Sequence, residues 1–266
     1  MTTKRTNFWA WLWIALGVAY FFVPLLATLN FSLRAQRGVL SLTAYANVFS
    51  DPRFFETFSF SLEMAVLTII VSVLLIFPTA YWILLRLPRL RLVMEFITLL
   101  PFVVPAIVLV FGLIKIYSRP PLLLTNTAAT TNVLLVAGYV VLSFPYMYRA
   151  VDTGLRAIDV RTLTEAAQSL GANWPTIIFR VIFPNIRVAL LSGAFLTFAI
   201  VIGELTLAQY LARPAFAPYM QLLIANKAYE PAALSIISFV LTWVSIGVIQ
   251  FLGRAAPGQT QLGGAK

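Results

Sequence analysis

Long apolar stretches alternate with short charged ones along most of the chain. No charged residue interrupts the sequence between Arg5 and Arg34, or between Glu63 and Arg86. A helix that crosses a bilayer needs about 20 consecutive, mainly apolar residues. The pattern therefore predicts six membrane-spanning helices, at about residues 8–31, 62–85, 93–116, 131–149, 186–208 and 232–253.

These segments predict an all-α membrane protein with a single transmembrane domain over residues 1–255. The first apolar segment is longer than the apolar region of a secretory signal peptide, so we interpret it as a retained signal-anchor. Residues 256–266, APGQTQLGGAK, are polar and rich in small residues. Because such a segment has little apolar surface to bury, we predict a disordered tail there.

The positions of Lys and Arg predict which side of the membrane each loop occupies, because cytoplasmic loops are enriched in both. If the N-terminus is cytoplasmic, most of the 19 Lys and Arg residues lie inside, including the dense cluster RLPRLR at 86–91. That orientation makes residues 155–184 the longest cytoplasmic segment.

Composition narrows the possible functions further. The chain is 61% hydrophobic and 11% charged, whereas a soluble domain carries about 25% charged residues. It contains neither Cys nor His, which excludes thiol chemistry and removes the side chain best suited to proton transfer. Its carboxylates are scattered, and no repeated pore-lining pattern is visible, so both a membrane-embedded enzyme and a channel are disfavoured.

The net charge of +10 would suggest nucleic acid in a soluble protein. In a chain of this hydropathy it is better explained by basic cytoplasmic loops beside anionic lipid headgroups. We therefore expect contact with membrane lipid and none with nucleic acid.

The polar segment LTEAAQSLGANWPTIIFRVIFPNI has the signals of two short helices. Asp159 is expected to cap a helix over Val160–Leu170, and Gly171 suits the left-handed position that follows a helix. Asn173 can cap a second short helix, which Pro184 is expected to end before the fifth span. The sequence thus predicts two helices joined at a glycine elbow.

Leu163, Ala166, Ala167 and Leu170 recur at helical spacing, so we expect them to share one face of the first short helix. The two alanines make that face shallow and would allow another surface to approach closely. Local physics leaves two interpretations open, a docking surface for a protein and an amphipathic loop on the headgroups. The two leucines could equally pack the loop against its own helices.

A longer pattern distinguishes these interpretations. Glu165-Ala166-Ala167, Gly171 and Val181-Ile182-Phe183-Pro184 resemble the E-A-A-x3-G-x9-I-x-L-P signature of ABC importer permeases. The departures are Val181 for Ile and Phe183 for Leu. The predicted spans, the length and the cytoplasmic N-terminus also fit this family, so the resemblance extends over nearly the whole chain.

The resemblance implies a type I ABC importer permease fold in a bacterial cytoplasmic (inner) membrane, with segment 155–184 as the coupling loop that docks on an ATPase subunit. It implies a second, different permease subunit, two ATP-binding subunits and a periplasmic solute-binding protein as partners. ATP and Mg would lie on the ATPase subunits, so this chain would bind no cofactor and catalyse no reaction. The implied coupling residues are Leu163, Glu165, Ala166, Ala167, Leu170, Gly171 and Pro184.

Glu204 is the candidate for contact with the solute, because ionisable groups within membrane segments are costly and often functional. Thr206 and Gln209 lie near it in the sequence; the alternative for Glu204 is an interfacial or structurally paired carboxylate. The overall pattern most resembles the spermidine/putrescine branch of the family, and a carboxylate suits a cationic amine. Other small solutes, such as 2-aminoethylphosphonate, ferric iron or a sugar, remain alternatives.

Overall fold

A computed structural model describes the backbone of residues 8–36 and 38–254. The predicted tail at 256–266 and the N-terminal cations Lys4 and Arg5 lie outside the described residues. Within the described ranges the chain is helical and forms no β-strand. This agrees with the all-α class predicted from the apolar pattern.

Thirteen α-helices follow one another in the described part of the chain. They are α1 (Phe8–Ser32), α2 (Thr43–Ser50), α3 (Pro52–Arg86), α4 (Arg91–Val103), α5 (Ala106–Tyr117), α6 (Ala128–Arg156), α7 (Val160–Ser169), α8 (Trp174–Thr176), α9 (Phe183–Asn185), α10 (Arg187–Gly203), α11 (Thr206–Tyr210), α12 (Phe216–Asn226) and α13 (Glu230–Arg254). A 3-10 turn at Pro88–Leu90 precedes α4, and a π-helical turn at Ile177–Ile182 joins α8 to α9.

Each predicted span has a helix at its position, but not always one unbroken helix. In the described residues α1, α3 and α6 are long and apolar enough to cross a membrane, and two bent helix pairs raise the number to as many as 5. The helix α3 begins at Pro52, well before the predicted start at residue 62. The count of six spans and the cytoplasmic N-terminus therefore stay predictions.

The third predicted span, 93–116, is wrong as a continuous helix. The helical stretches Pro88–Val103 and Ala106–Tyr117 meet at an angle of 98°. The ring of Pro105 disfavours a helical conformation at the preceding residue, and Val104 is extended, with φ −87° and ψ 114°. Pro101, in contrast, is accommodated inside α4.

The fifth predicted span, 186–208, is also wrong in its C-terminal part. The helix α10 ends at Gly203, Glu204 is extended with ψ 119°, and the chain turns into α11 at Thr206. At its other end, α10 makes an angle of 80° with the helical stretch Trp174–Asn185. Both ends of this helix are therefore corners, and both carry predicted functional residues.

The described residues 8–36, 38–55 and 219–241 form one compact unit. In its described part, the hydroxyls of Ser32 and Tyr45 lie 2.8 Å apart and join α1 to α2. The ring of Phe31 contacts that of Tyr229, with a centroid distance of 4.9 Å. The hydroxyl of Tyr219 donates to Asp51 Oδ2 at 3.2 Å. Polar and aromatic contacts therefore link the helices of this unit.

Among the described residues, 56–218 and 242–254 form the second compact unit, which carries every predicted site residue. Its described core contains two clusters of buried apolar side chains on α3, α6 and α10. Helices α6 and α10 pack closely because glycines face small side chains: a Cβ added at Gly154 would lie 2.6 Å from Ala189 Cβ. Small residues let helix backbones approach closely in membranes.

Replacing Gly154 with alanine is therefore expected to destabilise the protein by about 1–3 kcal/mol through overpacking. Thermal unfolding of the purified protein in detergent measures the loss. The double variant Gly154→Ala, Ala189→Gly restores the space and should recover much of the stability. The matched control is Gly112→Ala on α5, where an added Cβ meets nothing within 4 Å; equal losses at both glycines would contradict the packing argument.

Candidate functional site

The helix α7 begins with the cap that the sequence predicts. Asp159 Oδ1 accepts the backbone N–H of Thr162 at 3.1 Å, and Oδ2 accepts the Thr162 hydroxyl at 2.7 Å. These bonds, that from the Thr162 side chain first, lower the pKa of Asp159 from its usual value. In the same first turn, Arg161 donates to Glu165, which lies one turn further along the helix, at 2.8 Å. The start of this helix is thus fixed by local polar contacts.

The predicted common face of α7 is wrong in part, because the structure divides its four residues. Ala167 is buried and Leu163 is half-buried. Ala166 is exposed, and Leu170 is 88% exposed. Val160 and Thr164 complete the buried face, so the centre of that face lies nearer to these two residues than the apolar spacing suggested.

Glu165, Ala166 and Leu170 form an exposed edge of α7, which we call the coupling edge. It combines a carboxylate, a methyl group and a large apolar side chain at a surface. Leu170 leaves apolar area in contact with solvent that a partner protein could bury. The coupling edge is the part of the predicted surface that a partner can reach.

The glycine elbow is confirmed. Gly171 has φ +78°, a conformation that L side chains rarely adopt. Its N–H donates to Gln168 O at 2.9 Å, and the N–H of Ala172 donates to Ala167 O at 3.0 Å. These two bonds form a Schellman motif, which satisfies the last carbonyls of α7 and turns the chain sharply.

The second short helix also begins as predicted, since the side chain of Asn173 accepts the N–H of Thr176 at 3.1 Å. The predicted end of this helix before the fifth span is confirmed to within one residue. Pro184 lies in the first turn of α9, and the helical stretch continues to Asn185. The wider π-helical turn precedes this proline, and the bend follows at Ile186.

The loop packs against the end of α3, a contact that sequence patterns missed. The Tyr81 hydroxyl lies 2.8 Å from Thr164 Oγ1. The rings of Trp82 and Trp174 pack with their centroids 4.6 Å apart. Adjacent aromatic residues at the end of an apolar span were the available signal, but nothing local indicates that they contact this loop.

Glu204 lies at the corner between α10 and α11, and both of its carboxylate oxygens are used by the backbone. Oε1 accepts the N–H of Thr206 at 2.8 Å, and Oε2 accepts the N–H of Leu207 at 2.9 Å. Glu204 is half-buried. The structure therefore gives this carboxylate a structural role, as the cap of α11.

The other two predicted path residues lie on the helix that Glu204 caps. Thr206 is half-buried and begins α11, and Gln209 is exposed near its end. The structure thus brings the three predicted residues to one corner of the second unit. Their side chains present a carboxylate, a hydroxyl and an amide, which are groups that can accept hydrogen bonds from a solute.

Comparison with known proteins identifies relatives of the chain. Residues 73–255 match the family of binding-protein-dependent transport system inner membrane components. The spermidine/putrescine transport system permease protein PotB of Salmonella typhimurium is 27% identical over 197 residues, which cover 67% of this chain and 68% of that protein. The methionine import system permease protein MetP of Bacillus subtilis is 36% identical over 109 residues, covering 41% of this chain and 45% of that protein.

A solved structure shares the fold. One chain of a bacterial ABC transporter involved in the import of the acidic polysaccharide alginate superimposes with a TM-score of 0.67. The alignment covers 94% of this chain and 98% of that chain, at 18% sequence identity. At this identity the similarity concerns the arrangement of helices, not the solute.

Proposed function

The chain belongs to the family of binding-protein-dependent transport system inner membrane components, and from this premise we propose that it forms half of an ATP-driven path for a polyamine-like solute. It is a non-catalytic, multi-pass permease subunit of an ABC importer in the bacterial cytoplasmic membrane. Family membership alone does not specify the source of energy, the solute or the partner subunits, and the proposal names all three.

The observation that carries the proposal is the coupling edge of α7. Glu165, Ala166 and Leu170 are exposed, while the opposite face of the helix is buried in the protein's own core. A partner ATPase could therefore contact this edge without unfolding the loop. Gly171 and Pro184 would direct the chain from the docked helix into α10.

The proposed partners follow from this arrangement. Two ATP-binding subunits would bind the cytoplasmic loops, and a second, different permease would complete the path. A periplasmic binding protein would deliver the solute. When the ATPase dimer closes, rigid-body movement of the loops would change which side of the membrane the path opens to.

Two observations support a polyamine-like solute. The first is the similarity to PotB, a spermidine/putrescine permease. The second is the corner formed by Glu204, Thr206 and Gln209, which we propose lines the path with hydrogen-bond acceptors. Because the Glu204 carboxylate also caps α11, its negative charge would act on an ammonium group mainly at a distance.

Uptake by the reconstituted complex tests the proposed solute. The chain is purified with the subunits that accompany it and placed in vesicles that contain ATP. We expect saturable uptake of labelled putrescine that excess spermidine suppresses and that stops without ATP. Uptake that methionine, 2-aminoethylphosphonate or a sugar suppresses, and spermidine does not, would contradict the polyamine assignment.

A further inference from the structure

A buried hydrogen bond joins the end of α3 to the middle of α7. The Tyr81 hydroxyl and Thr164 Oγ1 are 2.8 Å apart and separated by 83 positions in the chain. Tyr81 is 0% exposed and Thr164 is 2% exposed. Water therefore cannot replace either partner easily, and loss of one partner leaves the other unsatisfied.

The direction of this bond follows from a second one. Thr164 Oγ1 donates its only proton to the carbonyl oxygen of Val160 at 2.6 Å. The Tyr81 hydroxyl must therefore be the donor to Thr164. The result is an ordered chain of hydrogen bonds from α3 into the first turn of α7, next to the Asp159 cap.

Aromatic contacts flank this hydrogen bond. The Arg86 guanidinium lies 6.0 Å from the centroid of the Trp174 ring, which also packs on Trp82. The rings of Phe77 and Phe183 meet edge to face at 5.7 Å. The end of α3 thus contacts the loop on both sides of Gly171.

The Tyr81–Thr164 hydrogen bond lies on the side of α7 opposite the coupling edge. Thr164 belongs to the buried face, whereas Glu165 and Ala166 belong to the coupling edge on the other side of the same turn. The coupling edge and the residue that contacts Tyr81 are therefore adjacent on one turn of α7. The helix α3 is continuous over 35 residues, about 52 Å at 1.5 Å per residue.

We infer that the Tyr81–Thr164 hydrogen bond links movement of α7 to movement of α3, so that Tyr81 and Thr164 are positioning residues for coupling. This inference rests on the proposed function, because it assumes that an ATPase docks on α7. The aromatic contacts hold the two helices together, and the hydrogen bond fixes their register. Without it, α7 can shift against α3, and ATP is hydrolysed with less transport.

Three variants test this inference: Tyr81→Phe, Thr164→Val and the double variant. For each, the reconstituted complex is assayed for the amount of solute transported per ATP hydrolysed, and this ratio is compared with that of the wild type. We expect each single change to lower this ratio about fivefold, the worth of one hydrogen bond. Thr164→Val should be the more harmful, since it leaves the buried Tyr81 donor without an acceptor. The double variant should be no worse than Thr164→Val alone, because only one link exists to be lost.

Matched controls separate this role from simple packing. Thr68 is buried on α3 and donates to Met64 O at 2.7 Å, so Thr68→Val removes a similar hydroxyl away from the loop. The Tyr139 hydroxyl has no hydrogen-bond partner within the described part of the chain, so Tyr139→Phe makes the same change as Tyr81→Phe. Both controls should keep the wild-type ratio.

Thr164→Ser retains the hydroxyl and should also keep the wild-type ratio, even where Thr164→Val assembles poorly. A merely structural contact would reduce the amount of complex but leave the ratio per assembled complex unchanged, and that result would overturn the inference. Failure of the wild-type chain to bind any ATPase would instead overturn the proposed function. Binding of the ATPase to each variant, measured in parallel, distinguishes the two failures.

Discussion

Replacing Ala166 with arginine is expected to weaken binding of the ATPase subunit at least about a hundredfold, equivalent to about 2.8 kcal/mol. Ala166 lies on the coupling edge, where its methyl group allows a partner surface to approach closely. A long cation there would hold the surfaces apart and bury an unpaired charge. Because Ala166 is exposed, the permease itself should insert and melt as the wild type does.

Two further arginine variants separate loss of ATPase binding from loss of stability. Ala167→Arg places the same side chain on the buried face, so we expect a lower melting temperature together with the loss of binding. Ala225→Arg introduces the cation at an exposed position on α12 and should leave ATPase binding intact. Co-purification of the ATPase with each variant measures the binding, and normal recovery with Ala166→Arg would contradict docking at the coupling edge.

Replacing Glu204 with alanine is expected to reduce transport at least tenfold and to lower stability by about 2 kcal/mol, as loss of a helix cap does. The change leaves the N–H groups of Thr206 and Leu207 without the carboxylate that accepts them. The corner between α10 and α11 would then lose its fixed geometry. Solute uptake and thermal unfolding of the reconstituted complex measure the two effects.

Glu204→Gln distinguishes the cap from the charge. Glutamine keeps a side-chain oxygen that can accept an N–H, but it is neutral. If capping is the main role, Glu204→Gln should retain most of the stability and at least half of the transport. If transport falls as far as in Glu204→Ala while stability is preserved, Glu204 acts in transport through its charge and not through the cap.

The geometry of the loop was largely predictable because its determinants are local. The Asp159 cap, the left-handed Gly171 and the Asn173 cap each depend on backbone groups a few positions away. The helix therefore begins at the predicted residue, and it ends one position earlier than predicted. Signals of this kind can be recognised in a short segment of the sequence without knowledge of the rest of the fold.

The wrong predictions concern contacts with distant residues. Apolar spacing indicated one face for Leu163, Ala166, Ala167 and Leu170, but α7 packs with Ala167 inside a cluster that includes the π-helical turn and the end of α3, and Leu170 stays outside. One contact of the buried face, between Tyr81 and Thr164, spans 83 positions. No pattern within the loop encodes it.

The broken spans show a different limit. Hydropathy measures composition, so 93–116 and 186–208 each counted as one helix although the backbone turns within both. At Val104 the following proline was a visible signal. At Glu204 no such signal is visible in the sequence. The N–H groups that donate to this carboxylate become free only when the helix breaks.

Cross-linking to the ATPase tests the central claim most directly, and the chain is suited to it because it contains no cysteine. Single variants Ala166→Cys and Leu170→Cys place a thiol on the coupling edge, and Gly112→Cys places one on α5. In the assembled complex, a short thiol-reactive cross-linker should join the first two to the ATPase subunit and leave the third unlinked. No ATPase cross-link from either coupling-edge position, in a complex that still transports, would contradict the account.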